Sequence, residues 1–290
     1  MTLRDKIVNI VENCGCRPLS YRAQDALVEL FEREFEDRLR DMQAARPLGS
    51  LLRDFAAFLD KKGFEIDHPE KVRQEPDSSY RVARQIFKNR KVLVAFLCRV
   101  ALEVGHGKSV KCSVASVEEA NVLRNFLNGL KKTGHISEVL NDGVDFEVKI
   151  PDDESKRKFF RSEWAESCFR YVISKAFSTA AGKYGLSHRI IPNVKIRRKG
   201  VDQLFTELDV VAQLGERFYI FEVKSGTWVR IMQWATREQA FVDKEGSARV
   251  IVCTIHSNIP CEIFKPQTLL NLENFEEGMI TIFKNDFAVP

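Results

Sequence analysis

The sequence lacks a long uninterrupted apolar segment. Its longest apolar run, around residues 92–102, contains Arg99 and is too short to cross a bilayer. The first residues also lack the apolar core of a signal peptide. We therefore expect no membrane partner and a cytoplasmic location.

Paired metal-binding and disulfide motifs are missing as well. The 7 cysteines are odd in number and spread along the chain, and only Cys14 and Cys16 lie close together. Their one-residue spacing fits neither a zinc site nor a redox pair. The 5 histidines show no His-x-x-x-His spacing. We expect reduced thiols and no zinc hydrolase.

Neither sign of charge dominates. The net charge is +4, with 44% hydrophobic and 30% charged residues. Such a composition is typical of a globular protein rather than a disordered one, and it permits a polyanionic partner without requiring one. A length of 290 residues predicts two domains.

A polar segment marks the predicted domain boundary. The run Pro151-Asp152-Asp153-Glu154-Ser155 separates two structured patterns, so we predict domains over residues 1–150 and 151–290. The first domain is predicted to be helical and then α+β, with a role in recognition, regulation or dimerisation. Its segment Tyr80–Val104 allows either one helix or a helix followed by a strand.

The second half has a more regular pattern. A helix near residues 155–181 is followed by strands near 189–196, 204–214 and 217–224, a helix near 227–243 and a strand near 249–255. This α-β-β-β-α-β order predicts an α/β fold with a mixed sheet and packed helices, preceded by the helix-rich α+β domain.

Charged residues stand out in two of these strands. A tight turn at Gly215-Glu216 sets Leu214 opposite Arg217. Counting outward places Asp209 across from Glu222, and Glu207 across from Lys224.

Two carboxylates this close repel each other unless a cation neutralises them. Oxygen ligands of this kind suit Mg²⁺ or Mn²⁺, which can bind a phosphate oxygen and activate a water. Lys224 would orient that water, or help to deprotonate it, and stabilise the developing charge. The competing interpretation is a hairpin with ordinary surface charges, which does not explain Asp209 among apolar neighbours.

Asp209, twelve intervening residues and then Glu222-Val223-Lys224 at the end of an apolar strand resemble the PD-(D/E)xK phosphodiesterase superfamily of restriction-endonuclease-like nucleases. The resemblance covers about residue 156 to the C-terminus. It implies a metal-dependent endonuclease, with Asp209 and Glu222 as metal ligands and Lys224 as a catalytic residue. In the leading helix, Glu166 takes the position of a further metal-site carboxylate, and Glu163 is the second candidate.

Within that superfamily, the helix and the two strand ends are most similar to nuclease domains of CRISPR-ancillary effectors activated by cyclic oligoadenylate. This resemblance implies a nucleotide activator and a role in defence against foreign nucleic acid. Those effectors begin with a strand-first sensor domain, whereas this chain opens with a helical pattern. Many nucleases of this fold act as homodimers, so a homodimer is a further expectation.

Basic residues are frequent from Lys156 to Gly200, before the charged hairpin, and only Glu163 and Glu166 oppose them there. Lys195, Arg197, Arg198 and Lys199 are the predicted nucleic-acid contacts, with DNA favoured over RNA as the partner. Gln233 and Arg237, on the helix expected after Lys224, take positions where related nucleases often contact substrate. The competing interpretation of the basic run is a solvated helix face.

Two further functions stay open. The chain could bind nucleic acid without cutting it, while its N-terminal half carries a partner interface. Alternatively, the N-terminal half could be a winged-helix-like reader, with a helix at Val117–Lys132 and a wing at Asn141-Asp142-Gly143. That interpretation predicts duplex binding by residues 1–150 alone.

Overall fold

The computed structural model describes residues 48–69, 77–104, 109–225, 239–241, 246–256 and 268–287. The chain divides into two compact units, Met1–Ser50 and Leu51–Pro290, and almost all described residues belong to the second. That unit is a mixed α/β structure with a six-stranded sheet and a separate three-stranded sheet. The predicted fold class is therefore confirmed.

The helices and strands follow one another in short steps along the chain. The helices are α1 Leu48–Lys61, α2 Asp77–Lys88, α3 Arg90–Glu103, α4 Val117–Lys132, α5 Glu154–Lys158, α6 Trp164–Tyr184 and α7 Phe275–Phe287. The strands are β1 Phe64–Ile66, β2 Val110–Ser113, β3 Glu138–Asp142, β4 Asp145–Lys149, β5 His188–Arg198, β6 Leu204–Leu214, β7 Arg217–Lys224, β8 Ala248–Thr254 and β9 Thr268–Asn271. A π-helical turn, Phe159–Glu163, joins α5 to α6.

The large sheet has the strand order β1-β5-β6-β7-β8-β9. The pairs from β1 to β7 are antiparallel, whereas β7-β8 and β8-β9 are parallel. The β6–β7 turn places Gly215 at φ 59°, a left-handed conformation that glycine adopts without steric cost. Leu214 pairs with Arg217, as the turn chemistry predicted.

Both faces of the large sheet are covered. On one face, Phe177 of α6 packs edge-to-face against Tyr219 and Phe221 of β7. On the other face, Phe218 of β7 contacts Phe55 and Phe58 of α1. Burial of each such ring stabilises the fold by about 1.5–3 kcal/mol. Because both faces are packed, the middle of β7 is apolar at every position.

The helix α6 is the central helix of the fold. Its interior side chains pack toward the sheet and toward α2 and α7, which leaves little of the helix exposed. Trp164 begins it and donates an indole N–H to the Phe160 carbonyl at 3.1 Å. The helix ends at Gly185, whose φ of 66° stops the helical hydrogen bonding.

The segment Tyr80–Val104 forms two helices, which break at Asn89. The strand alternative for this segment is wrong, because Leu93, Phe96, Leu97 and Val100 are buried at helical spacing. The helix predicted at Val117–Lys132 is confirmed, and its Ser116 cap accepts a hydrogen bond from the Glu119 amide.

The strands β6 and β7 have the predicted bounds, and β5 and β8 differ from them by one or two residues. The helix predicted near residues 227–243 lies outside the described residues, apart from a short turn at Gln239–Phe241. Strand β1 pairs with β5, so the large sheet includes residues from before the predicted boundary at 150/151. The division into domains over residues 1–150 and 151–290 stays a prediction.

Candidate active site at the β6–β7 fork

The pairing of β6 with β7 ends part-way along both strands. Val210 and Phe221 form the last pair; beyond them β6 continues against β5, and β7 continues against β8. Asp209 and Glu222 are the next residues on the two strands, in the predicted register. The two strands separate at this point, which we refer to as the fork. The predicted pair Glu207–Lys224 lies beyond the end of this ladder, and Glu207 instead lies opposite Lys195.

Three charged side chains meet at the fork. The Lys224 ammonium contacts Glu222 closely and lies 3.8 Å from the Asp209 carboxylate. The Val223 backbone amide also donates a hydrogen bond to Asp209 Oδ2, at 2.6 Å. This amide is available because β7 has left β6 at this point. The structure therefore brings together Asp209, Glu222 and Lys224, as the sequence predicted.

The three side chains are largely removed from solvent. The Glu222 side chain is 1% exposed, and those of Asp209 and Lys224 are 16% exposed. Burial, and then the neighbouring charge of Glu222, raise the pKa of Asp209 to about 8. Lys224 and the Val223 amide act in the opposite direction but do not cancel this shift. In the metal-free fork, Asp209 therefore favours the protonated form at neutral pH, because one lysine does not offset its burial and the Glu222 charge.

The charges of the fork also affect a cysteine on the adjacent strand β8. Cys253 of β8 is fully buried, and its thiol pKa is raised well above the ordinary value. Burial is the main cause, and the charges of Asp209 and Glu222 add to it. This thiol is a poor nucleophile, because nucleophilic attack requires the thiolate.

Glu166 lies in the first turn of α6 and is half-buried. Its charge contributes to the raised pKa of Asp209, so it lies within electrostatic reach of the fork. Glu163, the second candidate, forms an ion pair with Lys158 at 3.0 Å. The structure therefore favours Glu166 over Glu163 as the additional acidic residue of the site.

Two residues near the fork were missed from the sequence. Ser225, directly after β7, donates its hydroxyl to the Arg161 carbonyl at 3.4 Å, which ties the strand end to the π-helical turn. His256, after β8, donates its Nε2–H to the Ser225 carbonyl at 3.3 Å. Their signal was positional: each follows one of two neighbouring parallel strands, whose carboxyl ends lie at the same sheet edge.

The donor set fits a hard divalent cation. Mg²⁺ is usually held by one or two carboxylates and completes its coordination with water and substrate phosphate. Asp209 and Glu222 supply those two carboxylates. A bound cation would offset the burial and the repulsion that raise the pKa of Asp209, which gives a physical reason for a metal site. Within the described residues, no group of three or more His, Cys, Asp or Glu side chains is arranged to hold a metal.

The predicted nucleic-acid contacts on β5 and directly after it differ in their surroundings: some form ion pairs and others are exposed. Arg197 lies 2.9 Å from Glu65, 3.4 Å from Asp202 and 3.9 Å from Asp67. Lys199 forms an ion pair with Asp60. Lys195 and Arg198 are exposed, and the Arg198 guanidinium lies 5.1 Å from the Phe205 ring centroid. The predicted contacts Gln233 and Arg237 lie outside the described residues.

Much of the basic run before the hairpin is also neutralised. The ion pairs are Arg157–Asp152, Lys158–Glu163, Arg161–Glu154, Lys175–Glu276 and Arg189–Asp54. Most of these carboxylates come from outside the basic segment. For these residues the structure favours the solvated-surface interpretation.

Fold and site together define an α/β protein with a carboxylate–lysine cluster at a strand fork. No protein-family model and no curated protein matches the chain. Among solved structures, it is similar to the crystal structure of protein VC1899 from Vibrio cholerae, with a TM-score of 0.48 and 13% sequence identity. The match covers 79% of this chain and 60% of VC1899, so the chain spans less than two thirds of that protein. No family membership follows.

In the part of the chain that the structure describes, no helix is both long enough and apolar enough to span a membrane.

Proposed function

We propose that the protein is a metal-dependent nuclease that hydrolyses phosphodiester bonds in DNA, with RNA as the second candidate substrate. The observation that carries this proposal is the meeting of Asp209, Glu222 and Lys224 at the fork. Two buried carboxylates with one lysine between them are costly for folding alone, and they suit a site that completes its charge balance with a bound cation.

Each residue has a role that follows from its position. Asp209 and Glu222 would hold Mg²⁺ or Mn²⁺, assisted by Glu166; the ion supplies a Lewis acid for the phosphate and lowers the pKa of a bound water. The Val223 amide keeps the Asp209 carboxylate oriented toward the fork. Lys224 donates an N–H to the attacking water or to a phosphate oxygen and stabilises the charge that develops there.

The biological setting rests on the family resemblance. A homodimer would allow both strands of a duplex to be cut, and a nucleotide activator would restrain a toxic activity. Defence against foreign nucleic acid, in the cytoplasm, is the setting that the resemblance favours. We assign the exposed cations Lys195 and Arg198 of β5 to the phosphate backbone. Arg197 and Lys199 lie at the margin of this contact surface.

The test is cleavage of labelled single- and double-stranded DNA and RNA with Mg²⁺, Mn²⁺ or EDTA. The decisive pair of variants is Glu222→Gln and Glu216→Gln, which make the same change in one hairpin, at the fork and at the exposed turn. We expect Glu222→Gln and Lys224→Ala to lower the rate by at least about 100-fold. Glu216→Gln should cut like the native chain. Equal cleavage by the two glutamine variants would reject the proposal.

A second candidate function is nucleic-acid binding without cleavage. It is favoured by the position of the Lys224 ammonium, which already lies between the two carboxylates. Tight binding with no cutting under any metal condition would support this candidate over the nuclease.

A further inference from the structure

The helix α4 presents a polar face that its packing does not use. Its apolar side, from Ala120 to Leu130, is buried in the core, whereas its opposite side is exposed or half-buried. The residues of that opposite side, which we call the α4 stripe, are Asn121, Arg124, Asn125, Asn128, Lys131 and Lys132. If this face only kept the helix soluble, glutamate and lysine would serve as well as the asparagines.

The composition of the α4 stripe works against helix formation. Asparagine is a poorer helix former than alanine, glutamate or lysine, because its side chain competes for backbone hydrogen bonds. Asn121, Asn125 and Asn128 nevertheless occupy three positions of one exposed face. A set of residues that opposes the local structure without filling the core points to a binding function.

A hydrogen-bond chain joins the α4 stripe to the β3–β4 hairpin. Arg124 donates to Asn121 Oδ1 at 2.6 Å and to Asn141 Oδ1 at 2.9 Å. Asn141 in turn donates to the Gly143 and Asp145 carbonyls, at 3.2 Å and 3.1 Å. The helix face and the hairpin tip therefore form one preorganised surface.

The charges of the α4 stripe favour a polyanion. Arg124, Lys131 and Lys132 are the cations of the stripe, whereas the acids Glu118 and Glu119 are confined to the first turn of α4. Glu119 accepts a hydrogen bond from the Ala115 amide at 2.8 Å. The hairpin carries Asp142 and Asp145, so its role is to position the helix rather than to neutralise phosphates.

We propose that the α4 stripe binds B-form duplex DNA, with α4 in the major groove. The major groove admits an α-helix, and asparagine and arginine pair with the edges of adenine and guanine there. The deep, narrow major groove of duplex RNA does not admit such a helix. The surface is separate from the fork, and the inference does not rest on nuclease activity.

The first experiment measures binding by the full chain carrying Lys224→Ala, in EDTA, so that no DNA is cut. The probe is a fluorescent random-sequence DNA duplex of about 25 base pairs, slightly more than two helical turns. Lys131→Gln/Lys132→Gln should weaken binding at least about tenfold and lower the slope of log affinity against log salt by about two. The control is Lys183→Gln/Lys284→Gln, which removes two exposed charges from α6 and α7.

The second experiment tests the asparagines. A random duplex pool is enriched on the same chain, and the affinity for the selected DNA is compared with that of Asn125→Ala/Asn128→Ala. We expect a loss of at least about tenfold. Alanine strengthens the helix, so unfolding would not explain the loss. The control is Asn285→Ala on the exposed face of α7.

The outcomes separate this inference from the nuclease proposal. The inference is overturned if the native surface binds no duplex DNA, if the α4 variants match their controls, or if duplex RNA binds equally well. Self-association through α4, measured by size-exclusion chromatography, with no DNA binding would also overturn it. None of these results depends on cleavage at the fork.

Discussion

The two ends of strand β7 carry clusters of charged side chains with opposite balances of acidic and basic groups. At the fork, Asp209 and Glu222 share Lys224. At the other end, one carboxylate, Asp286 of α7, meets Arg217 and Arg249.

The Asp286 end is satisfied by the protein itself. The Asp286 side chain is 1% exposed. Its two carboxylate oxygens accept from Arg249 Nε at 2.7 Å and 2.8 Å, and one of them accepts from the Tyr219 hydroxyl at 2.9 Å. These bonds fasten α7 to the sheet. At the fork, burial instead raises the pKa of Asp209 to about 8. Similar residue types thus make a structural clamp at one end and a cluster with a strongly shifted carboxyl pKa at the other.

The largest expected effect is at the structural clamp. Asp286→Ala leaves two arginines and a tyrosine hydroxyl without their shared acceptor. The arginine side chains are 36% and 40% exposed, so water partly replaces that acceptor, and we expect a loss of about 2–4 kcal/mol in the free energy of unfolding. Urea denaturation in EDTA measures it. A loss below about 1 kcal/mol would contradict the structural role of the Asp286 cluster, and with it the difference between the two ends of β7.

The next effect is the pH dependence of the fork. The folded pKa of Asp209 lies above the unfolded value, so its contribution to stability is complete below about pH 4 and is lost as the pH rises towards 8. Asp209→Asn cannot ionise but still accepts from the Val223 amide. We expect the metal-free variant to exceed the native chain by on the order of 3 kcal/mol at pH 8, and to match it at pH 4. Parallel pH profiles would contradict this.

Metal addition should stabilise only a chain with an intact fork. Mg²⁺ or Mn²⁺ at about 100 times its Kd should stabilise the native chain by about 2.7 kcal/mol at pH 8. The gain should be absent in Glu222→Gln and retained in Glu216→Gln, as measured by thermal denaturation. An equal gain in both variants would place the ion elsewhere.

The smallest effect is expected for Tyr219→Phe. This change removes the hydroxyl bond to Asp286 but keeps both arginines, so we expect a loss of about 1–2 kcal/mol. The Tyr219 pKa is raised, by burial and then by Asp286, so the bond should persist through neutral pH. Denaturation at pH 7 and pH 9 should give the same difference.

Local patterns gave correct predictions where short-range chemistry decides. The Gly215-Glu216 turn determined the register of β6 and β7, and strand alternation then placed Asp209 near Glu222. The bounds of α4 followed from its Ser116 cap and helical spacing. Tyr80–Val104 was ambiguous because its apolar residues satisfy both periods, and only packing decided in favour of two helices.

Ion pairs between residues that are distant in the chain could not be predicted from the sequence. Arg217 and Asp286 are 69 residues apart in the chain, and Arg249 and Asp286 are 37 apart. The basic run from Lys156 to Lys199 predicted an exposed cationic surface. In the structure, acids such as Asp54, Asp60 and Glu276 form ion pairs with parts of this run. Such pairs depend on how distant segments pack, which no local pattern encodes.

The sequence by itself determined a hairpin with two carboxylates and a lysine near its open end, because turn chemistry and the two-residue strand period act over a few residues. The tertiary structure decided where β6 leaves β7. This freed the Val223 amide for Asp209 and ended the β6–β7 ladder before Glu207 and Lys224. It also decided which charges find partners, because burial and neutralisation arise only when segments distant in the chain meet.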